Sequence, residues 1–142
     1  MASIQVGSTD HGTCQVVPVA KEQDIIIARN AGRELCRRIG FGPTEQVKVA
    51  TAISELARNI VLYAGRGTIE LRVLDGPDKG IEIIARDDGP GIEDLERVFA
   101  GVRRSRRGMG LGLIGTKRLM DRFNIVSKPG SGTTVTIAKR LR

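Results

Sequence analysis

Apolar residues recur along the chain at two spacings, which predict helices in some segments and strands in others. Intervals of three and four residues are typical of a helix face, and they occur over about 22–39, 43–64, 93–99 and 111–123. Pro43 suits the start of the second helix, because an N–H in the first turn lacks a helical partner in any case, and Gly65 stops that helix. Alternating apolar and polar residues predict strands over 69–74 and 81–87, and further strands are predicted over the short run 15–20 and over 124–128 and 133–140.

The order of these elements predicts the fold class. Consecutive strands are joined by tight turns at 76–80 and 129–132, so they should pair with each other in opposite directions. We therefore expect an α+β domain, a two-layer α/β sandwich with a mixed, largely antiparallel sheet and helices on one face. Residues 1–14 are polar and unpatterned, and we expect a disordered leader there and a single domain over 15–142.

Composition fits this picture and excludes several classes of protein. A chain of 142 residues with 40% apolar residues has enough material for one core but not for two. No apolar run approaches the roughly 18 residues of a membrane span, and the first ten residues do not resemble a secretory signal, so we expect a cytoplasmic protein that does not enter membranes. The two cysteines, Cys14 and Cys36, cannot build a disulfide framework or a cysteine-based zinc site.

The charge of the chain favours anionic partners. There are 23 basic and 16 acidic residues, a net charge of +7, and four arginines cluster at Arg103, Arg104, Arg106 and Arg107. Nucleic acid, an acidic protein surface and nucleotide phosphates would all satisfy this charge. Nucleic acid is an unlikely partner, because aromatic residues are only 3% of the chain and no known nucleic-acid-binding module is recognisable.

Glu55 and Asn59 lie one turn apart on the second predicted helix, away from its apolar stripe. The stripe consists of Val49, Ile53, Leu56, Ala57, Ile60 and Ala64. Taken alone, the pair is most simply interpreted as part of a solvated polar face. With phosphates nearby, Asn59 could give Mg²⁺ a neutral oxygen ligand and Glu55 could polarise an attacking hydroxyl or water.

Asp87 ends a predicted strand on the buried side, because alternation places it with Ile81, Ile83 and Ala85. It could cap its own turn, or it could accept a hydrogen bond from the exocyclic amine of adenine. Gly89 and Gly91 follow at intervals of two and would let the backbone pass close to such a base.

A second glycine cluster, Gly108, Gly110 and Gly112, opens a predicted helix. Free N–H groups and the positive end of the helix dipole could bind phosphates there, although a flexible loop explains the glycines equally well. The glycines from Gly110 to Gly115 also fit the dinucleotide fingerprint, but an arginine-rich loop precedes them instead of a strand. That alternative therefore fails on its context.

The four elements occur in one order: Glu55-x-x-x-Asn59 on a helix, Asp87-x-Gly-x-Gly91 after a strand, Gly108-x-Gly-x-Gly112 before a helix, and Gly132-Thr133 before the last strand. As a set they resemble the nucleotide-binding boxes of the GHKL ATPase superfamily, which has the Bergerat fold. The runs 54–59, 63–65 and 117–121 are most similar to those of the switch kinases of stressosome signalling, within the anti-sigma-factor group of serine/threonine kinases. The resemblance covers about residues 16–142.

The resemblance implies a role for each motif residue. Asp87 would bind adenine, with Thr133 closing the adenine side, while Asn59 would hold Mg²⁺ and Glu55 would orient the acceptor hydroxyl for attack on the γ-phosphate of ATP. Gly108, Gly110 and Gly112 would donate backbone hydrogen bonds to the phosphates. The segment 92–107 would be an ATP lid, in which the four arginines depart from the small polar residues expected and receive no individual role.

The resemblance also implies partners. A kinase of this group transfers phosphate to serine or threonine of a STAS-domain antagonist, and then activates a partner phosphatase upstream of an alternative sigma factor. A histidine-kinase reaction is disfavoured, because the sole histidine, His11, lies in the predicted leader. The alternative is a non-catalytic ATP-dependent binding switch or anti-sigma factor.

Overall fold

A computed structural model describes residues 5–9, 12–92 and 109–141, and within them three α-helices lie on one face of a six-stranded sheet. The strands are β1 (Gln5–Thr9), β2 (Gly12–Val19), β3 (Gly67–Leu74), β4 (Gly80–Asp87), β5 (Arg122–Lys128) and β6 (Gly132–Arg140). The helices are α1 (Glu22–Ile39), α2 (Pro43–Asn59), which continues as a π-helical turn (Ile60–Ala64), and α3 (Met109–Leu119).

The sheet order is β1-β2-β3-β4-β6-β5, and every neighbouring pair of described strands is antiparallel. The predicted α+β class and two-layer arrangement are confirmed. The sheet is more uniform than expected, because a mixture of parallel and antiparallel pairs does not occur among these strands. The ends of β4 and β6 lie side by side, with Asp87 opposite Thr133, so the topology brings together two predicted site residues that are distant in sequence.

The helix layer is built on the predicted apolar stripe. Val49, Ile53, Leu56, Ala57 and Ile60 are at most 2% exposed and pack in one core with β3 and β4. A Cβ atom at Gly32 of α1 would collide with the side chain of Ile53, so glycine allows α1 and α2 to pack closely.

The helix that begins at Pro43 ends at Gly65, as predicted, but its last five residues form a π-helical turn. Gly65 has φ 89° and its N–H donates to the carbonyl of Ile60 over 2.8 Å, which closes the turn. The wider turn brings Ile60, Tyr63 and Ala64 to the same side of the chain, where all three line a cleft. Such turns are often found at functional sites.

The structure differs from the predicted disordered leader at residues 5–14. Gln5–Thr9 forms β1, which pairs with the start of β2 so that Gly7 lies opposite Cys14. Backbone pairing at a sheet edge needs no apolar pattern, and for this reason the sequence did not indicate the strand.

The boundary between α3 and β5 also differs from the prediction. The predicted helix over 111–123 begins earlier and ends at Leu119, and the next strand begins at Arg122. Asp121 draws the chain into the sheet, because its N–H donates to the Ala138 carbonyl over 3.0 Å and its carboxylate accepts the Arg140 N–H over 2.8 Å.

Several predictions lie outside the described residues: the helix over 93–99, Gly108, the lid with its four arginines, and His11. In the part of the chain that is described, no helix is long and apolar enough to cross a membrane.

Candidate functional site

A cleft opens between the C-terminal end of α2 and the adjoining ends of β4 and β6. The space between these elements is about 430 Å³, a figure that includes open solvent. The cleft is lined by four of the predicted site residues, Asn59, Asp87, Gly91 and Thr133. Apolar side chains cover most of the remaining wall, among them Leu56, Ile60, Leu113 and Val135.

Asp87 is half-buried at the end of β4 and presents its carboxylate to this cleft. One carboxylate oxygen, Oδ1, accepts the N–H of Gly89 over 2.9 Å, and the backbone of Thr133 also donates to the carboxylate. Burial raises the pKa of Asp87, an effect that these two backbone hydrogen bonds oppose and that the neighbouring Asp88 strengthens. No cation of the described chain contacts this group, so it can accept a hydrogen bond from a ligand.

Gly89 and Gly91 shape the loop after β4 by close approaches to protein. A Cβ atom at Gly89 would lie 2.7 Å from that of Ala64 in the π-helical turn. Gly91 has φ 78° and lies against the carbonyl of Lys128, while the N–H of Gly130 donates to the Pro90 carbonyl over 2.6 Å. The expected close approach therefore exists, but it is to protein backbone and side chain, and only Gly91 lines the cleft.

Glu55 and Asn59 face the first turn of α3. A Cβ atom at Gly112 would lie 2.9 Å from Oε2 of Glu55 and 3.9 Å from Oδ1 of Asn59, so glycine leaves room for both side chains. Glu55 is one-third exposed, and its Oε1 accepts a hydrogen bond from Arg58 over 3.0 Å. The backbone of Gly110 lies in the same first turn, whose N–H groups are available to an anion.

These groups fit adenosine triphosphate with its metal. A half-buried carboxylate in an apolar cleft suits the amine of adenine, and a helix start beside an amide and a carboxylate suits phosphates carrying Mg²⁺. The described residues contain no cluster of three or more His, Cys, Asp or Glu side chains that could hold a metal alone. Mg²⁺ commonly keeps waters and binds through one or two protein oxygens together with phosphates, and Asn59 can supply such an oxygen.

Sequence reasoning missed Ser127 of β5. Its Oγ lies 2.8 Å from Oγ1 of Thr133 and accepts the N–H of Ile92 over 2.8 Å. A signal was present, because Phe123 and Ile125 pack on the core and alternation therefore turns Ser127 to the same side of the strand. A lone polar residue at an inward position of a strand needs a partner, and here the partner belongs to the cleft.

Comparisons with known proteins agree with this geometry. Residues 44–142 match the family model described as histidine kinase-, DNA gyrase B-, and HSP90-like ATPase. The chain is 47% identical over 127 residues to the serine/threonine-protein kinase RsbT of Bacillus subtilis (strain 168), covering 89% of this chain and 96% of that protein. It is 30% identical over 131 residues to the anti-sigma F factor of Caldanaerobacter subterraneus subsp. tengcongensis, covering 85% and 88% of the two chains.

A solved structure shows the same fold at low sequence identity. The crystal structure of the SiaB–SiaC complex from Pseudomonas aeruginosa contains a chain that superposes with a TM-score of 0.59 at 15% identity, and the match covers 89% of each chain. This likeness concerns the fold alone.

Proposed function

The chain belongs to the histidine kinase-, DNA gyrase B- and HSP90-like ATPase family and is one of its serine/threonine protein kinases, and we propose that the cleft at Asp87 is where it binds ATP. The observation that carries this proposal is the convergence of Asn59, Asp87 and Thr133 on one apolar cleft. The three residues come from a helix and two strands that are far apart in sequence. Their meeting at one opening is hard to account for by packing alone, since all three are polar residues in a lining that is otherwise mostly apolar.

Each residue of the site has a separate task in this proposal. Asp87 accepts the amine of adenine, Thr133 contacts the same edge of the base, and Gly91 shapes the loop beside it. Asn59 offers its Oδ1 to Mg²⁺. Gly110 and Gly112, together with Gly108, which precedes the described start of α3, donate backbone N–H groups to the phosphates.

Glu55 is the proposed catalytic residue. It lies beside Asn59 at the first turn of α3, next to the position expected for the terminal phosphate, and it is partly exposed to an incoming protein. Its carboxylate can hold the acceptor hydroxyl by its proton and orient the oxygen toward phosphorus, while Arg58 fixes one carboxylate oxygen. Bound ATP supplies the phosphoryl group, and Mg²⁺ offsets its negative charge.

We propose that the protein works with a protein partner in a switch that controls a sigma factor, and the relative named anti-sigma F factor supports this. We propose that the partner receiving phosphate is a STAS-domain antagonist and that release from it frees the kinase for a partner phosphatase. A reaction of this kind uses cytoplasmic ATP, and we therefore propose that the protein is located in the cytoplasm.

The alternative is a binding switch in which nucleotide changes affinity for a partner without phosphate transfer. Its support is the relative named anti-sigma F factor, which matches over most of both chains. In such a protein Asp87 and Asn59 would keep their tasks, while Glu55 would have none.

Transfer of labelled γ-phosphate to a purified STAS-domain protein tests the kinase proposal. We expect Glu55→Gln to reduce transfer by at least about a hundredfold while ATP binding stays close to that of the parent. Glu34→Gln is a matched control, because Glu34 on α1 pairs with Arg37 at the same three-residue spacing, whereas Glu55 is the one that lies against Gly112 of α3. ATP binding without transfer by the parent, or transfer unchanged in Glu55→Gln, would favour the binding switch.

The metal assignment has its own test, which measures binding instead of turnover. The affinity of the parent for ATP should rise with Mg²⁺, and this rise should disappear in Asn59→Ala while the melting temperature changes little. Asn30→Ala, an exposed asparagine on α1, is the control. An unchanged Mg²⁺ dependence in Asn59→Ala would remove Asn59 from the metal site.

A further inference from the structure

A row of exposed or partly exposed side chains runs along one side of α2 and its π-helical continuation. Its members recur every three or four residues, at Val47, Thr51, Glu55, Arg58 and Leu62. Residues at this spacing lie on one face of a helix. The five therefore form a single row, which we call the outer row, and the proposed catalytic residue Glu55 is one of its members.

Leu62 is the member of the outer row that follows Arg58. It is 45% exposed, although the opposite, inward stripe of α2 is almost completely buried. A single exposed leucine is common on protein surfaces. Leu62 is informative here because an arginine and a catalytic carboxylate lie beside it on the same face.

Arg58 lies between Glu55 and Leu62, and most of its guanidinium group is unused. Its Nη1 donates to Oε1 of Glu55 over 3.0 Å, and the side chain is 48% exposed. Among the described residues, Glu55 is the only hydrogen-bond partner of this side chain. A guanidinium carries five N–H groups in a planar fork, so Arg58 can bind a second carboxylate while it holds the first.

We propose that Arg58 and Leu62 form a docking surface for the protein that receives phosphate, and that this protein places a carboxylate and an apolar side chain beside its acceptor hydroxyl. The inference rests on the proposed function, since it takes Glu55 to hold that hydroxyl. A protein that reaches Glu55 must also cover the neighbours of Glu55 in the outer row. The nucleotide cleft is lined by other residues of the described chain, so this surface is separate from it.

The charges at this surface favour an acidic acceptor site. A carboxylate of the acceptor would be repelled by Glu55, and Arg58, lying next to Glu55, offsets that repulsion by binding both groups. The net charge of +7 on the whole chain attracts an acidic protein surface in the same sense. Arg58 thus selects acceptors by charge, while Leu62 adds apolar contact.

Transfer of phosphate from ATP to a purified STAS-domain protein, measured against acceptor concentration, tests the role of Arg58. The acceptor is used as it is and in variants that change each Asp or Glu beside the phosphorylated residue to the amide. With the parent kinase we expect one of these changes to lower kcat/KM about tenfold, between the effect of an exposed ion pair and that of a buried one. With Arg58→Gln the same change in the acceptor should have almost no effect.

The comparison separates recognition from support of Glu55. Arg58→Gln alone can lower kcat, because Arg58 also holds Glu55, but only a contact with the acceptor explains a lost sensitivity to the acceptor's carboxylate. Arg37→Gln is the matched control, since Arg37 is exposed and pairs with Glu34 at the same spacing on α1, and it should keep the tenfold effect. If Arg58→Gln is too slow to measure, calorimetric affinity between kinase and acceptor gives the same comparison.

Two results would overturn the role of Arg58. One is a tenfold effect that persists in Arg58→Gln, and the other is a parent kinase that is insensitive to every acidic residue beside the phosphorylated one. A parent that transfers no phosphate to the acceptor would instead remove the proposed kinase function.

Leu62→Ser tests the apolar part of the surface. We expect KM for the acceptor to rise about fivefold with a smaller change in kcat, as for an apolar contact at an interface. Val126→Ser is the control, because Val126 on β5 is 57% exposed and should leave KM unchanged. An unchanged KM in Leu62→Ser, or a loss of ATP affinity as large as the rise in KM, would overturn the role of Leu62 in docking.

Discussion

Lys139 and Asp87 are two charged residues at opposite ends of the β4–β6 strand pair, both on the face covered by helices, and their surroundings differ. Lys139 is 4% exposed, and its Nζ lies 2.9 Å from Oε2 of Glu45 and donates to the Leu119 carbonyl over 3.1 Å. Asp87 accepts only backbone N–H groups within the described chain. One charge is neutralised by the fold itself, and the other is left for a ligand.

The same difference appears in the pKa values of two carboxyl groups, that of Glu45, which pairs with Lys139, and that of Asp87. The hydrogen bond from Lys139 lowers the pKa of Glu45, whereas burial raises the pKa of Asp87. A charge of the first kind stabilises the fold, because it holds β6, α2 and the end of α3 together. A charge of the second kind costs stability in the free protein, and the binding of an amine offsets that cost.

The largest expected effect is on ligand binding at the open end of the strand pair. Asp87→Asn should weaken ATP binding about a hundredfold, because the ligand loses a hydrogen bond to a charged acceptor. Asp75→Asn, an exposed aspartate in the turn after β3, should bind like the parent. Calorimetric titration measures both, and equal affinity in Asp87→Asn and the parent would end the role of Asp87 in binding the base.

The closed end should respond in stability instead of binding. Lys139→Met keeps most of the side-chain volume but removes the contacts to Glu45 and Leu119, and we expect it to lower the free energy of unfolding by about 2 kcal/mol. The cost stays below that of a fully buried pair, because the Glu45 side chain is 36% exposed and can be solvated. Denaturant titration measures the loss, with the exposed Lys79→Met as control. If Lys139→Met lost as much free energy of ATP binding as free energy of unfolding, the division in which Lys139 supports the fold and Asp87 binds the ligand would be contradicted.

Gly112 of α3 lies against Glu55 of α2. A substitution at Gly112 therefore tests whether catalysis depends on the position of the Glu55 side chain. In Gly112→Ala the new Cβ would lie 2.9 Å from Glu55 Oε2 and would displace that flexible side chain. We expect kcat to fall about tenfold with a smaller change in KM for ATP. Gly115→Ala is the matched control on the same helix, since beyond its own helical backbone no atom of the described residues lies within 4 Å of its new Cβ. Equal kcat values in the two variants would show that Glu55 does not need its present position.

The comparison of Asp87 with Lys139 also shows which features of the protein can be predicted from its sequence. Alternation correctly placed Ile81 and Ile83 in the core, and it is this pattern that placed Asp87 on the inner side of the sheet. Local rules also placed Pro43 at the start of a helix and Gly65 at its end. These features depend on neighbours in sequence, and for that reason a single chain was enough to predict them.

The features that could not be predicted depend on contacts between distant residues. The burial of Lys139 depends on Glu45 and the end of α3, which lie beside it in the fold but far from it in sequence. Similarly, the π-helical turn places Ala64 against Gly89, which is distant from it in sequence. Ser127 carried a weak signal in its inward position, but its partner Thr133 became known only with the register of β5 and β6.

The smallest expected effect is also the one that separates the two charges most directly. Because burial raises the pKa of Asp87 in the folded state, folding favours the neutral carboxyl, and the ionised form destabilises the free protein above that pKa. Without nucleotide at pH 7, Asp87→Asn should therefore be more stable than the parent by about 0.5 kcal/mol, although it binds ATP poorly. The advantage should shrink as the pH falls through the pKa of folded Asp87, because the parent then becomes neutral there as well. Unfolding of both proteins across this pH range measures it, and a parent more stable than Asp87→Asn at pH 7 would mean that the carboxylate is already compensated within the fold.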